Sequence, residues 1–262
     1  MSNKIIDSEQ GHWLLAKMGK RVLRPGGKAL TLKLINGLNI TKEDEVVEFA
    51  PGMGYTASIL QSRHPKKYTG IELNQEAANR LKKQIHQENY EIVNTSAADT
   101  GLHSSSVNKV VGEAMLTMQP DHRKSEIIQE AYRILKPGGY YGIHELGLTP
   151  DHLDAEVKKE VQQGLAKAIK VNARPLTKSE WCYLLEQEGF SIKTIAENSM
   201  DLLKLKRILA DEGILRTLKI CFNIFTHSRA RKKILTMRKT FNQYQDHLTS
   251  FAIIAEKKFN HS

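Results

Sequence analysis

Apolar positions along this chain follow two rhythms. Over residues 10–23 they recur at helical spacing, with Trp13, Leu14, Met18 and Val22 on one face, and the pattern stops before Pro25-Gly26-Gly27. A second short helix is expected around Ala29 to Leu38. From residue 45 onward, short apolar runs alternate with helical stretches. The runs EVVEFA (45–50), KYTGIEL (67–73), YEIVNTS (90–96), NKVVGEA (108–114) and YYGIHEL (140–146) are rich in Val, Ile and Tyr. Bounded by turn residues, they read as buried parallel strands. Between them, Asn74 is a natural N-cap for a helix that puts Ala77, Ala78, Leu81 and Ile85 on one face. Asp121 opens another, which buries Ile127, Ile128, Ala131, Ile134 and Leu135 and ends at Lys136-Pro137-Gly138-Gly139. Such alternation predicts right-handed crossovers and an α/β, doubly wound, mostly parallel sheet with helices on both faces.

After the fifth strand the rhythm loosens. Residues 151–170 read as a helix, and Thr177-Lys178-Ser179-Glu180 is a capping box opening another through Trp181, Leu184 and Leu185. Gly189 ends it, and 191–197 looks like a sixth strand. Residues 201–245 carry two or three helices, and 248–257 form a last strand. The expected division is an N-terminal helical cover (1–40), a nucleoside-binding core (41–200), a helical insertion (201–246) and the core's last strand (247–262).

Charge changes this picture in one place. The formal net charge is +10, and residues 201–245 hold eleven Lys and Arg against Asp201, Asp211 and Glu212. A solvated helical surface and a patch for an anionic substrate, lipid or nucleic acid both fit. The apolar and charged fractions, 40% and 26%, are those of an ordinary globular core. Two distant cysteines, Cys182 and Cys221, make no disulfide or zinc framework. With no signal-peptide core and no long uncharged apolar stretch, the expected compartment is the cytoplasm.

The densest chemical signal is VVEFAPGMGYTASIL (46–60). A strand runs into Pro51-Gly52-Met53-Gly54, where glycines let backbone approach a ligand, and a helix N-terminus follows with free N–H groups. Glu72, eighteen residues past Gly54, can accept both hydroxyls of a ribose. Gly52-x-Gly54-x-x-Ala57 alone would suit NAD equally well. Three features favour another nucleoside: Glu48 suits an ammonium group and would repel a pyrophosphate, Asp99 in SAADTGL is placed for an adenine amine, and LKPGGYYGIHE (135–145) gives helix, tight turn and fifth strand.

Together these residues resemble class I S-adenosylmethionine-dependent methyltransferases of the small-molecule type. Glu48-Phe-Ala-Pro-Gly-Met-Gly is similar to their motif I, Glu72-Leu73 to their ribose-binding acid and its neighbour, Ala98-Asp99 to their adenine-binding pair, and Leu135-Lys-Pro-Gly-Gly to the turn before their fifth strand. The match spans about residues 40 to 150. Ala50 stands where that pattern has its first glycine. The resemblance implies S-adenosyl-L-methionine as cofactor, bound by Glu48, Ala50, Gly52, Gly54, Glu72, Leu73, Ala98, Asp99 and Glu113. It also implies a seven-stranded sheet whose last strand is antiparallel, with a helical lid inserted before that strand.

Methyl transfer needs donor and acceptor held about 3 Å apart with water excluded, and a base only when the acceptor must lose a proton. By the resemblance, the acceptor pocket lies beyond strands four and five, at Glu113, Met115, His144 and Glu145. His144 is the candidate base, with Glu113 and Glu145 beside it; a structural histidine is the competing reading. A metal there would lack an Asp-Asp-Asn pattern, so none is expected. GEAMLTMQP (112–120) lacks the Pro-Pro-Tyr and Pro-Cys motifs of DNA methylases, which argues against nucleic-acid acceptors. His12 and Trp13, with Lys20, Arg21 and Arg24, are lid candidates. In 201–245, Leu202, Leu205, Ile208, Leu215, Leu218, Phe222 and Phe225 interleave with the basic residues. That pattern fits a lid over an apolar, anionic acceptor and equally an interfacial helix on acidic lipid. The expected partner is a small, largely apolar methyl acceptor, with an anionic or thiol nucleophile among the options; the alternative is a membrane- or RNA-associated binding or methylating protein that uses the basic 201–245 segment.

Overall fold

A computed structural model of the chain describes residues 10–85 and 87–259. The strands are β1 (Glu45–Phe49), β2 (Lys67–Ile71), β3 (Tyr90–Val93), β4 (Val107–Glu113), β5 (Leu135–Leu148), β6 (Leu176–Thr177), β7 (Phe190–Ser199) and β8 (Leu248–Lys257). They form one sheet in the order β3-β2-β1-β4-β5-β8-β7, with the two-residue β6 alongside β5. Strands β1 to β6 pair in parallel, and β8 runs antiparallel to both β5 and β7. Among the described residues the sheet thus has eight strands, the short β6 being the one the periodicity missed. Its two residues carry too little pattern to register.

The helices are α1 (Gly11–Lys17), α2 (Gly27–Gly37), α3 (Tyr55–Gln61), α4 (Gln75–Lys82), α5 (Asp121–Ile134), α6 (Ala155–Ile169), α7 (Lys178–Gln187), α8 (Leu205–Glu212), α9 (Ile214–Thr226) and α10 (Ser228–Gln243). Local chemistry starts several of them. The Asn74 side chain accepts from the N–H groups of Glu76 and Ala77, Asp154 caps α6 in the same way, and Thr177 with Glu180 completes the capping box of α7.

Each sheet face has its own apolar layer. Helices α2, α3 and α4 cover one face through Leu30, Leu34, Leu60, Ala78 and Leu81. Helices α5 and α7 cover the other through Ile127, Ile128, Ile134, Trp181 and Leu185. A third cluster lies beyond the carboxyl edge, where Leu15, Met18, Leu165, Met237 and Phe241 join α1, α6 and α10. The N-terminal segment and the insertion therefore share a core, and burial of these side chains holds the cover closed. No helix among the described residues is long and apolar enough to cross a membrane.

Three boundaries differ from expectation for physical reasons. The first helix ends at Lys17, because Gly19 has φ +104° and the backbone beyond it is held by the insertion. The Asn74 helix ends at Lys82, within a run of charged and amide side chains that gives it little to bury. The strand after α5 begins at once: Leu135 pairs with Val107 and Tyr140 with Lys109, so Lys136–Gly139 bulge out of the ladder instead of forming a separate turn.

Candidate cofactor and acceptor site

Between β1 and β4 the sheet reverses its winding, so the loops after these strands diverge and leave a crevice at the carboxyl edge. After β1 the chain bends sharply. The Ala50 N–H donates to Ile71 O at 2.8 Å, the Gly54 N–H closes a turn on Pro51 O at 2.9 Å, and α3 begins at Tyr55. One carboxylate fixes the bend: Glu72 accepts from the Gly52 N–H at 2.9 Å and from the Asn74 N–H at 2.9 Å. Asn94, which carries no signal in the sequence, donates to Glu72 O at 2.7 Å and Leu73 O at 3.0 Å, tying the loop after β3 to the loop after β2.

Backbone strain collects here. Ala50 and Ala114, at the ends of β1 and β4, both have φ +52° and both line the crevice. A left-handed alanine costs roughly 1–2 kcal/mol, and such strain gathers at working sites. Ala50 thus adopts a left-handed conformation that glycine takes without strain. Gly52 has φ +57°, and a Cβ built on it would meet nothing nearer than Ala50 O at 3.8 Å. The space above Gly52 is open to a ligand, so the bend fits a cofactor that lies directly on backbone.

The crevice deepens into a cavity of about 300 Å³. The residues expected to bind cofactor do not all reach it. Ala50, Gly52, Glu72 and Glu113 line it, and so do the lid candidates His12, Trp13 and Met115. Gly54 sits just behind as the N-cap of α3, and Leu73 stands beside Glu72 with its side chain 71% exposed. Ala98 and Asp99 do not line the cavity. They lie in the turn after β3, where Asp99 is exposed, its N–H donates to Ser96 O, and its carbonyl accepts from Thr95.

Glu48 needs correction as a direct partner of a cofactor ammonium. It is 2% exposed, lies outside the cavity wall, and accepts from the Tyr68 hydroxyl at 2.6 Å. Burial pushes its carboxyl up to about 8, against the lowering effect of Tyr68 and Arg24, so it keeps its proton at neutral pH. The linkage follows. Below the ordinary glutamate pKa both folded and unfolded states are protonated; as pH rises toward 8 only the unfolded chain ionises, and stability is lost. Glu48→Gln is therefore expected to flatten stability between about pH 5 and 8 and to raise it at pH 8 by on the order of 1–3 kcal/mol. Urea melts of both proteins at the two pH values check this; equal slopes would refute the buried, protonated state.

His144 and Glu145 also need correction as catalytic groups. His144 is fully buried under α2 and the 24–26 segment. Its Nδ1 lies 2.6 Å from Glu113 Oε1 and its Nε2 2.5 Å from Pro25 O. Both ring nitrogens are thus engaged inside the protein, one with the Glu113 carboxylate and one with the Pro25 carbonyl, and neither faces a substrate. Glu145 is likewise buried. It accepts from the N–H groups of Met115, Leu116 and Thr117 at 2.9, 2.8 and 3.0 Å and from the Thr117 hydroxyl at 2.7 Å, anchoring the turn after β4.

Glu113 is the hub of the cavity floor. Its Oε1 accepts from Thr31 at 2.7 Å as well as from His144; its Oε2 accepts from Thr56 and pairs with Arg24 Nε at 2.8 Å. Burial alone would raise this carboxyl, but Arg24 and His144 outweigh burial and hold it down at about 2. Arg24 in turn lies over the Tyr55 ring at 5.4 Å. The sequence marks Arg24 only as a lid candidate; Thr31 and Thr56, on two separate helices, carry no pattern that marks them.

The insertion holds this segment in place. Glu212 accepts from the N–H groups of Arg21 and Val22 at 2.7 and 2.8 Å, and Asp211 accepts from the Lys28 N–H at 2.9 Å. Buried Lys20 lies 3.8 Å from both carboxylates. Arg207 donates to Gly26 O and Asn223 to Met18 O. Residues 18–28, which bring Arg24 and Pro25 to the cavity, are thus clasped by α8 and α9.

Comparison with known proteins agrees with this geometry. A family model described as a methyltransferase domain matches residues 46–139. An uncharacterized protein of Haemophilus influenzae is 34% identical over 254 residues, 95% of this chain and 98% of its own. The phthiotriol/phenolphthiotriol dimycocerosates methyltransferase of Mycobacterium tuberculosis is 30% identical over 103 residues, 39% of this chain and 37% of its own. The solved structure of Haemonchus contortus phosphoethanolamine N-methyltransferase 2, in complex with S-adenosyl-L-methionine, shares the fold with a TM-score of 0.73 at 16% identity, covering 99% of this chain and 60% of that one. A glycine bend at the switch point of a doubly wound sheet, with an acid after the second strand, is the arrangement of a nucleoside-cofactor site. Residues 46–139 of the chain form a methyltransferase domain. The Haemonchus structure of this fold carries S-adenosyl-L-methionine.

Proposed function

We propose that this enzyme methylates a small, largely apolar acceptor that brings its own anion or sheds a proton readily, a thiol or an acidic hydroxyl. The observation that carries this reading is the wall of the cavity. Trp13, Leu165, Met200, Leu202, Met237 and Phe241 make it apolar, and the chemistry is confined to the floor around Arg24, Glu72 and Glu113. The mycobacterial relative, named for phthiotriol and phenolphthiotriol dimycocerosates, supports an apolar acceptor.

The bend at Ala50–Gly54 and the Glu72 carboxylate would hold the cofactor, which supplies an electrophilic methyl group on a sulfonium. The chain's own residues then have a short task. The apolar wall desolvates the acceptor and excludes water, and closure of α1 and α10 over the floor restricts its approach to one direction. Arg24 keeps positive charge beside an acceptor anion. Apart from the arginines, the cavity's titratable side chains are His12, Tyr55, Glu72 and Glu113; burial raises Glu72, which the Gly52 and Asn74 N–H groups hold on the bend, and the other three are poor bases near neutrality. Burial pushes His12 down to about 4 and raises Tyr55 to about 12, and Glu113 is held ionised at about 2. A proton must therefore leave the acceptor before transfer, which suits an acidic nucleophile. The free thiols Cys182 and Cys221 suit the reducing cytoplasm as the working compartment.

The test is transfer of radiolabelled methyl groups to a panel of apolar thiols, acidic phenols, aliphatic alcohols and amines. The rate is expected to rise with pH through the acceptor's own ionisation and to be unchanged in form by His12→Ala. Preferred turnover of aliphatic alcohols, with a pH profile lost in His12→Ala, would sink this reading.

A further inference from the structure

Helix α9 presents an apolar face that the enzyme's own fold leaves bare. Ile214, Leu215, Leu218, Phe222 and Phe225 are between 62% and 85% exposed. At 3.6 residues per turn they fall within an arc of about 100°. The opposite side of the helix is committed: Ile220 and Thr217 are buried, Asn223 donates to Met18 O, and Arg216 donates to Gly19 O. The helix cannot roll to hide its apolar stripe without releasing the 18–28 segment that lines the cavity. Exposed apolar area of this extent on one element marks an interaction surface.

The charge around the stripe points to what covers it. Lys206, Lys219, Arg229 and Lys232 are exposed on α8, α9 and α10, and Arg231 sits over the Phe225 ring at 5.7 Å. The acids of this segment do not offset them. Asp211 and Glu212 have side chains 2% exposed and face the N-terminal segment, and Asp201 is paired with Lys204 at 2.7 Å. A surface combining insertable Leu, Ile and Phe with unopposed cations complements an anionic lipid bilayer, whose headgroups meet the cations while its acyl boundary receives the apolar stripe. A second copy of the chain would set like charges against each other across the same apolar face. RNA would use the cations but leave the aliphatic side chains in water.

We propose that α9, with the flanking ends of α8 and α10, docks this enzyme on anionic membrane surfaces. The docking stands apart from the acceptor's identity, because it needs neither the cavity nor methyl transfer.

Flotation of the full chain with vesicles tests it, using phosphatidylcholine alone and phosphatidylcholine mixed with phosphatidylglycerol. The wild type is expected to float with the mixed vesicles only and to be released by high salt. Leu215→Glu/Phe222→Glu, at surface positions outside the cofactor site, is expected to lower partitioning by roughly tenfold or more while S-adenosylhomocysteine still binds. Failure of the wild type to float, or equal flotation of the double variant, overturns the proposal. So would a dimer in sedimentation equilibrium, or RNA binding, that the same double variant abolishes while flotation persists.

Discussion

Gly52→Val is expected to lose S-adenosylmethionine binding by at least about 100-fold, a cost near 2.8 kcal/mol, while the protein still folds. Two features of Gly52 lead to this. Its φ of +57° lies in the left-handed region, where a β-branched side chain is strained by roughly 1–2 kcal/mol or more. The room for the new side chain is not in the core, since a Cβ there meets no protein atom closer than 3.8 Å. It projects into the space where a ligand would lie on the bend. Thermal unfolding with S-adenosylhomocysteine at about 100 times its dissociation constant should stabilise the wild type by about 2.7 kcal/mol and the variant hardly at all. Equal stabilisation of both would remove Gly52 from the cofactor surface.

Glu113→Ala has the largest expected effect on folding. The variant leaves Arg24 and His144 in the interior without their shared carboxylate and strips two threonine hydroxyls of their acceptor. Breaking a buried ion pair by removing one partner costs about 3–5 kcal/mol. Against a total stability of about 5–15 kcal/mol, that is a large share. Glu113→Gln, which keeps acceptor and shape, should lose less. The pH dependence carries a separate signature. The folded-state pKa is depressed to about 2, so the contribution is complete above the ordinary glutamate pKa and fades as pH falls toward 2. The gap between wild type and Glu113→Ala, read from urea melts, should narrow in acid. A gap that stayed constant would mean the carboxylate is not the organising charge.

The contrast between Gly52 and Glu113 shows which parts of this protein its sequence displays. The segment from Val46 to Leu60 is legible because everything it does is local: strand, bend and helix follow one another, and Glu72 arrives one crossover later. The Glu113 hub is assembled from positions 24, 31, 56, 113 and 144, and only the fold brings them together. His144 reads as a base from its place at a strand end. That place does not tell that α2 and the Pro25 carbonyl close over the ring. Glu48 reads as a charge in the motif, yet desolvation keeps it protonated. The clasp of Asp211 and Glu212 on the N-terminal segment joins positions 183 to 191 residues apart and leaves no periodic trace.

Crystals soaked with S-adenosylhomocysteine examine the site most directly. Density should lie along Gly52–Met53 with the ribose hydroxyls on Glu72 and the sulfur facing the apolar wall of Trp13 and Phe241. A ligand bound elsewhere, with the Gly52 bend bare, would contradict the assignment.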